Sequence, residues 1–546
     1  MLEQCSSIDA GPLDRQSSCR NRLAFSVSPT KVPFGMGRVW LSSCMVFGMN
    51  IQKSIAPKAH PDIVWTRMFS ELDRDGQGLN VQIRRTIVYA IQAGVLTGGT
   101  RLPSSRHLAG LLAVARNTVT AAYQLLIDEG FLVSRERSGI FVAAQQRYVP
   151  TSLNTCDDDV AQWSGRFAVR PSAQRQINKP RDWLEHPYPF LFGQFDPAIF
   201  PTNNWREAVR ATSSVKEIYG WAGDQIDDDD PDLLEQLRVQ VLPKRGIFAG
   251  PGEIIVTIGS QQALSMLVQL FVGSKTAVGI EDPGYPDVRN MVGLVTEDVR
   301  HLSADAQGVL ADDVLSGCDV AFLTVGHQCP TTAVMPIARR KALLEAAYRN
   351  HVIIVEDDYE ADLALDGEAE LPCLKSLDHH GQVIYVGSFS KALAPGLRIG
   401  YIVAPKPVID ELRVLRRMLL RHPPTNNQRI LATFIALGHY HQHLRKTGTV
   451  LAQRAAILNN CLPKLLPQCS WRRDAGAKSF WVEGPEAFDS RELVRAARER
   501  GVLIEAGDIF FDDPDAGRRF FRLGFTSISE NKIAAGLKIL GELIEG

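Results

Sequence analysis

Between Ile63 and Val142 apolar residues return every third or fourth position, in "IVWTRMFSELD" and "LNVQIRRTIVYAIQAGVL", and that spacing predicts helices. The stretch from Thr97 to Ala143 breaks into short helices, a longer one and a β-hairpin. Gly98 and Gly99 are placed to end one helix and Ser104 to cap the next. Ala113 to Arg116 make a tight connection into "NTVTAAYQLLIDEG". From Phe190 the pattern changes. Strand-like runs, "EIIVTIG", "VAFLTV", "HVIIVEDD" and "QVIYVGS", alternate with helical ones such as "QQALSMLVQLFV" and "IARRKALLEAAYRN". Such alternation predicts an α/β domain with a mostly parallel sheet. Beyond Lys406 the chain is more helical and closes with "SFWVEG", "RFFRLGFTS" and a last helix, which predicts a smaller α+β domain.

These periods divide the 546 residues into an extension over 1–60, a helical module over 61–143, a linker over 144–187 and a large body over 188–546. The linker assignment rests on polarity, on Pro150, Pro171, Pro180 and Pro187, and on the acidic run Asp157 to Asp159. The extension matches neither domain and is expected to be disordered, with Met36, Met45 or Met49 as alternative starts. Its apolar "VWLSSCMVFGM" has a polar centre and no small-residue cleavage site, which argues against export. No apolar run reaches the roughly 18 to 20 residues that cross a bilayer, so no membrane partner is expected. Nine cysteines are scattered without a C-x-x-C pair, which fits a reducing compartment, and the cytoplasm is the expected location. A net charge of -1 means that any nucleic-acid binding must come from a local basic face.

Helix, short turn, helix and a two-stranded wing is the winged helix-turn-helix order, a small α+β fold that reads double-stranded DNA. A recognition helix needs small residues and donors at its start, and Arg116, Asn117, Thr118 and Thr120 supply them. Arg106 on the preceding helix and Arg137 and Ser138 in the wing add candidate phosphate contacts. The whole module resembles the GntR family of bacterial regulators through "GGTRLPSSRHLA", "RNTV", "AYQLL", "EGFL" and "RSGIFV". Two positions depart from the pattern. Ala115 stands where the family usually has serine, and Arg137 where the wing usually has glycine, so the wing tip is expected to be reshaped.

The body carries a lysine in an unusual setting, "YVGSFSKALAPGLRIGY". A lysine amine can hold an aldehyde cofactor such as pyridoxal 5'-phosphate, which needs a carboxylate at its ring nitrogen and donors at its phosphate. "VIIVEDDYE" offers Asp357, with Asp358 as the alternative, at the end of a buried strand, and Tyr359 for the ring hydroxyl. "VTIGSQQALSML" presents Ser260 and Gln261 where a strand turns into a helix, a natural anion site. Ser388, Ser390 and Arg398 surround Lys391 and would complete the cup. His439, His441 and His443 lack a third metal ligand, and no metal is expected there. Cys329 has no base partner and is read as packing.

From about Phe190 to the end the chain resembles fold-type I aminotransferases, through "EDPGYPDVRN", "HQCPTTAVMP", "VEDDYE", "YVGSFSKALAPGLRIGY" and "RLGFTS" in family order. The resemblance implies a pyridoxal phosphate transferase fold in which Lys391 forms the internal aldimine, Asp357 pairs with the ring nitrogen and Tyr285 stacks on the ring. It also implies that Arg522 clamps an effector or substrate carboxylate. Thr332 replaces a usual glycine, so the loop near the ring is expected to follow another path. Asp287 stands where some relatives place a second anion-binding arginine, so an amine with one carboxylate at most is expected.

The union of both resemblances is similar to the MocR/GabR subfamily of GntR-type regulators. It implies a transcription regulator, working as a head-to-tail homodimer on a DNA operator, that senses an amine, an amino acid or the cofactor itself by exchange at Lys391. The alternative is a working aminotransferase with a DNA-binding appendage, and a third reading is a binding module with no cofactor.

Overall fold

The computed structural model describes residues 61–545 apart from 71, 75–77, 145–162, 164, 312–314 and 362–370. The expected N-terminal extension, its alternative starts and the Asp157 to Asp159 run lie outside the described residues. The chain divides into two compact units, 1–155 and 156–546.

The first unit contains α1 (Pro61–Met68), α2 (Leu79–Gln92), α3 (Ser105–Leu112), α4 (Arg116–Asp128) and a hairpin of β1 (Leu132–Arg135) and β2 (Gly139–Val142). One stripe of each helix is apolar and turns inward: Ile83 and Ile87, Leu108, and Val119 and Leu126 have no exposed surface. Burying a side chain of this size stabilises the fold by roughly 1.5 to 3 kcal/mol. The α2 helix ends earlier than Gly98 and Gly99 suggest, because Gly94, at φ +76°, already turns the chain out of the helix. Ser104 caps α3 by accepting the His107 N–H at 3.2 Å, and Ala113, at φ +51°, makes the turn into α4. Strands β1 and β2 pair antiparallel from Leu132↔Val142 to Arg135↔Gly139. At the wing tip Arg137 takes φ +59° itself, so the turn keeps the left-handed residue that a glycine would supply. The expected reshaping of the tip is corrected accordingly.

The second unit is built on an eight-stranded mixed sheet. Its strands are β4 (Ile254–Thr257), β5 (Val278–Asp282), β6 (Val299–Asp305), β7 (Gly308–Val309), β8 (Val320–Leu323), β9 (Ile353–Asp357), β10 (Val383–Ser388) and β11 (Gly400–Val403), ordered 4-11-10-9-8-5-6-7, and β3 (Tyr188–Pro189) lies apart. Strands β10, β9, β8, β5 and β6 are mutually parallel, and β11 inserts antiparallel between β10 and β4. All residues of β4, β8, β10 and β11 are buried, as strands covered on both faces must be. The C-terminal ends of β9 and β10 deliver Asp357 and Ser388 to one edge of the sheet, where ligands of open α/β folds bind.

The smaller part contains an antiparallel sheet of β12 (Ser470–Arg472), β13 (Ser479–Glu483), β15 (Glu505–Ala506) and β16 (Phe520–Gly524), ordered 12-13-16-15. It packs with the helices His439–Leu465 and Glu530–Glu545 in one core that includes Phe480, Phe521 and Leu537. Strand β14 (Val502–Leu503) pairs with β3. Among the described residues no helix is long and apolar enough to cross a membrane.

Candidate functional site

In the first unit Arg106, Arg116, Asn117, Thr120, Arg137 and Ser138 are exposed, and Thr118 is half-buried. Arg116, Asn117 and Thr118 occupy the first turn of α4, and the Thr120 hydroxyl donates to the Arg116 carbonyl at 3.0 Å. Ala115 precedes α4 without a side-chain cap, the consequence of its replacing serine. Ser138 closes the wing turn by donating its N–H to the Arg135 carbonyl at 3.0 Å.

In the second unit a cavity of about 290 Å³ is lined by Ser260, Gln261, Tyr285, Asp357, Tyr359, Ser388, Ser390, Lys391, Arg398 and Arg522. These come from five separate stretches of sequence and meet because β4, β9, β10 and β16 end there or run past it.

One end of the cavity has the features that suit an anion. The helix Gly259–Phe271 begins with Gly259 at φ +71°, and its first N–H groups have no partner within the helix. Arg398 donates from Nη2 to the Ile258 carbonyl at 3.0 Å, and a Cβ on Gly259 would meet the guanidinium carbon at 3.0 Å. Glycine is therefore needed for Arg398 to lie across the helix start. Ser388 Oγ accepts the Ser390 N–H at 3.2 Å, whereas Ser390 Oγ is buried without a partner.

The two adjacent aspartates have different surroundings. Asp358 forms an ion pair with Arg245 and accepts the Tyr385 hydroxyl at 3.1 Å, so its charge is satisfied inside the protein. Asp357 Oδ1 is buried without a hydrogen-bond partner. Burial, with Asp358 beside it, pushes the Asp357 carboxyl up to about 7, while Lys391 pulls the other way. A cationic ring N–H at Oδ1 would satisfy this oxygen and bring its proton affinity back down.

Lys391 is set above the Phe192 ring, with Nζ 4.9 Å from the centroid. Desolvation, then the positive charges of Lys179 and Arg522, bring its amine down to about 7, so a large fraction is the nucleophilic free base near neutral pH. Gly193 permits this position, since a Cβ there would lie 2.0 Å from Lys391 Nζ. The orphaned oxygens of Asp357 and Ser390, the glycine-lined lysine and the helix-start anion site together fit a pyridine ring bearing an aldehyde and a phosphate.

The aromatic walls are held from outside. The Tyr359 hydroxyl donates to the His327 carbonyl at 2.9 Å. The Tyr285 hydroxyl lies 2.9 Å from Gln261 Oε1 and 3.0 Å from Asp287 Oδ2, and Gln261 donates to Asp287 at 2.9 Å. Thr332 adopts φ +68°, the conformation that favours glycine, so the loop keeps its path and the threonine carries the strain. That corrects the expected detour.

Arg522 is buried and already paired: its Nε donates to Glu505 at 2.7 Å, and its guanidinium lies 4.3 Å from the Phe192 centroid and 4.6 Å from that of Phe510. Glu505 faces Arg522 across the β15–β16 pair. Sequence reasoning missed Glu505, Phe192, Gly193 and Lys179. Only the close spacing of "FLFGQFD" hinted at a tight approach of backbone, and Lys179 lay in a stretch whose composition read as linker. The three histidines bond separately: His439 to Glu207, His441 to Gln240 and His443 to the Ala392 carbonyl.

Residues 79–142 match the family described as Bacterial regulatory proteins, gntR family, and residues 230–540 match Aminotransferase class I and II, whose members are pyridoxal phosphate-dependent. The chain is 37% identical over 469 residues to the HTH-type transcriptional regulator TauR of Rhodobacter capsulatus, covering 85% of this chain and 96% of that protein. It is 29% identical over 482 residues to the probable rhizopine catabolism regulatory protein MocR of Rhizobium meliloti, covering 86% and 94%. Among solved structures, the kynurenine aminotransferase of Pyrococcus horikoshii superposes with a TM-score of 0.64 at 26% identity, over 71% of this chain and 98% of that one. A helix-turn-helix unit with exposed basic and polar side chains at the start of α4 and a cavity that fits the cofactor occur together in one chain whose relatives are regulators over nearly their full length: it belongs to the MocR-type GntR family of bacterial transcription regulators, with a winged helix-turn-helix domain joined to an aminotransferase-like domain.

Proposed function

We propose that this regulator binds pyridoxal 5'-phosphate in the cavity around Lys391 and senses an amine or amino acid that takes the place of the Lys391 amine. The observation that carries the reading is the pairing of a partnerless buried Asp357 oxygen with a lysine whose amine is brought down to about 7. Bound there, pyridoxal phosphate supplies an aldehyde that condenses reversibly with amines. Asp357 would hold the ring N–H, and Tyr359 would face the ring hydroxyl. Tyr285 would cover one face of the ring. Ser260, Gln261, Ser388, Ser390 and Arg398 would hold the phosphate, and Lys391 would release or recapture the aldehyde carbon as its own proton comes and goes.

Arg116, Asn117, Thr118 and Thr120 would contact an operator from the start of α4, with Arg106, Arg137 and Ser138 on the phosphates. A head-to-tail homodimer would present two such readers to paired half-sites in the bacterial cytoplasm. For the sensor to work, the effector must bind one arrangement of the protein better than another, and no product need be released.

Operator footprinting of the wild type and of Lys391→Ala, with and without amines, tests the proposal. The expected result is that the variant loses the cofactor's visible absorbance band and the amine-dependent footprint together. A variant that lacks the band yet responds normally would refute it. The set of Lys391, Asp357 and Tyr359 also suits transamination, and sustained conversion of an amino donor and a keto acid by the purified protein would favour that second reading.

A further inference from the structure

Lys391 lines two cavities, and only the larger one can hold a cofactor. The smaller has a volume of about 20 Å³ and is lined by Ser390, Lys391 and Thr526 together with Glu360 and Lys478. A space of roughly 10 to 15 Å³ with a few polar partners is enough for one water molecule. Polar partners are present here: Ser390 Oγ is buried without a hydrogen bond, and the Lys391 amine and the Glu360 carboxyl belong to the same wall. The small cavity therefore suits a single water that touches Lys391 on one side and Glu360 on the other.

Glu360 has a second neighbour. Its side chain is 3% exposed, and Oε2 lies 3.5 Å from His327 Nδ1. The other ring nitrogen of His327, Nε2, is 2.8 Å from the Ala475 carbonyl. A carbonyl can only accept, so the ring proton belongs on Nε2. Burial holds the ring below its usual range, with Lys478 acting in the same direction and Glu360 against it, so the ring is neutral near pH 7. Nδ1 is then a bare lone pair, buried and without a hydrogen-bond partner. Lone pair and carboxylate face each other with room for one proton between them. Both residues are fixed to the surrounding walls: Lys478 donates to the Glu360 carbonyl at 3.1 Å, and the Tyr359 hydroxyl donates to the His327 carbonyl at 2.9 Å.

We propose that Glu360 and His327 are the proton-accepting pair for Lys391, reached through one water in the small cavity. A proton leaves Lys391 Nζ for the water, the water passes one to the Glu360 carboxylate, and the new carboxyl shares it with His327 Nδ1. Lys391 loses its positive charge as Glu360 loses its negative one, so the net charge of the group is unchanged, and the reverse sequence returns the proton. The other charged groups around Lys391 among the described residues are unsuited to this task. Lys179 and Arg522 are cations, Glu505 is bound to Arg522, and Asp357 is the carboxylate assigned to the ring N–H. A ligand in the larger cavity displaces the water there, so the small cavity is the route left open when the site is filled. The inference rests on the cofactor reading above and adds the path by which Lys391 gains and loses its proton.

The test uses the full-length wild type, Glu360→Gln, Glu360→Asp and His327→Gln. Glu360→Gln keeps the shape of the side chain but cannot take the proton, and His327→Gln can keep a donor for the Ala475 carbonyl while lacking Nδ1. Two measurements separate a proton path from a mere charge. In the cofactor-free proteins, competitive acetylation across a pH series with peptide mass mapping gives the titration of Lys391. It is expected to move to lower pH in Glu360→Gln, because a carboxylate that favours the ammonium form is gone. In the cofactor-loaded proteins, stopped-flow absorbance near neutral pH gives the rate at which propylamine displaces Lys391. If Glu360 were only a charge, its removal would make Lys391 easier to displace and leave that rate unchanged or faster. As a proton path, its removal is expected to slow the exchange by about tenfold or more, with Glu360→Asp restoring much of the rate and His327→Gln slowing it by a smaller factor. Exchange in Glu360→Gln as fast as in the wild type, or a Lys391 titration that does not move, would overturn the proposal. Should Glu360→Gln fail to fold, exchange at the wild-type rate in His327→Gln would overturn it instead. A wild type that shows no absorbance band with pyridoxal phosphate would remove the cofactor reading, and the titration of the cofactor-free protein would then decide alone whether Glu360 acts on Lys391.

Discussion

Arg116 and Arg522 are both expected to meet a ligand, and their settings could hardly differ more. Arg116 is exposed at the start of a helix, where water and salt screen it. Arg522 is 3% exposed, held between two aromatic rings and already bound to a carboxylate. The reader can form its contacts only when DNA arrives, so its affinity should be spread over several modest, salt-sensitive contacts. In the cavity the groups are desolvated in advance, and each alters its neighbours: Lys179 and Arg522 lower Lys391, and Asp358 raises Asp357. Removing one charge should therefore matter far more in the cavity than in the reader.

The largest effect is expected from Arg245→Met, which leaves the buried Asp358 without its charged partner. Breaking a buried pair by removing one partner costs about 3 to 5 kcal/mol. Thermal unfolding followed by calorimetry should show the transition of the second unit moving down while that of the reader stays in place. Equal displacement of both would mean that the two units do not unfold independently.

A change of pH comes next. Because the Lys391 amine is brought down to about 7 from a usual 10.5, the cofactor-free protein should capture pyridoxal phosphate fastest above that value. Capture should slow about tenfold for each pH unit below it, as the free base is protonated. The same shift means that the folded protein binds fewer protons than the unfolded chain between about 7 and 10.5, so this group's contribution to stability rises with pH across that window. Stopped-flow absorbance at a series of pH values reads the capture rate directly. A rate that is flat from pH 8 to 5 would contradict the buried-amine picture.

The smallest effect is expected in the reader. Arg116→Ala should weaken operator binding by roughly tenfold and, if the contact is to a phosphate, reduce the salt slope by about one. Fluorescence anisotropy at several salt concentrations measures both. A loss as complete as that produced by a cavity variant would erase the contrast between the two regions.

Much of this contrast was legible in the sequence, because it rests on local pattern. Ser104, Arg116 and the wing follow from helix spacing and capping, and Lys391, Asp357 and Ser260 sit at strand ends within recognisable motifs. What could not be read depends on register and on long-range approach. Glu505 meets Arg522 only because β15 and β16 pair in one particular register, 17 residues apart along the chain. Lys179 reaches the cavity because Arg175 is bound to the carbonyls of Asp508, Phe511 and Asp512, more than 300 residues away. Arg137 and Thr332 depart from a glycine pattern, yet at both the backbone turns as it would at a glycine. Their composition suggested a new path where the backbone instead accepts about 1 to 2 kcal/mol of strain at each.

The central claim is that Lys391 holds the cofactor until an amine replaces it and that this exchange changes operator binding. Borohydride reduction of the cofactor-loaded protein, followed by peptide mass mapping, tests it most directly when paired with a footprint of the same sample. Without effector, the phosphopyridoxyl group should be fixed to the peptide that contains Lys391. With an amine that alters the footprint, that peptide should be unmodified and the group should be recovered on the amine. Modification of a different lysine, or an altered footprint with Lys391 still fully modified, would contradict the claim.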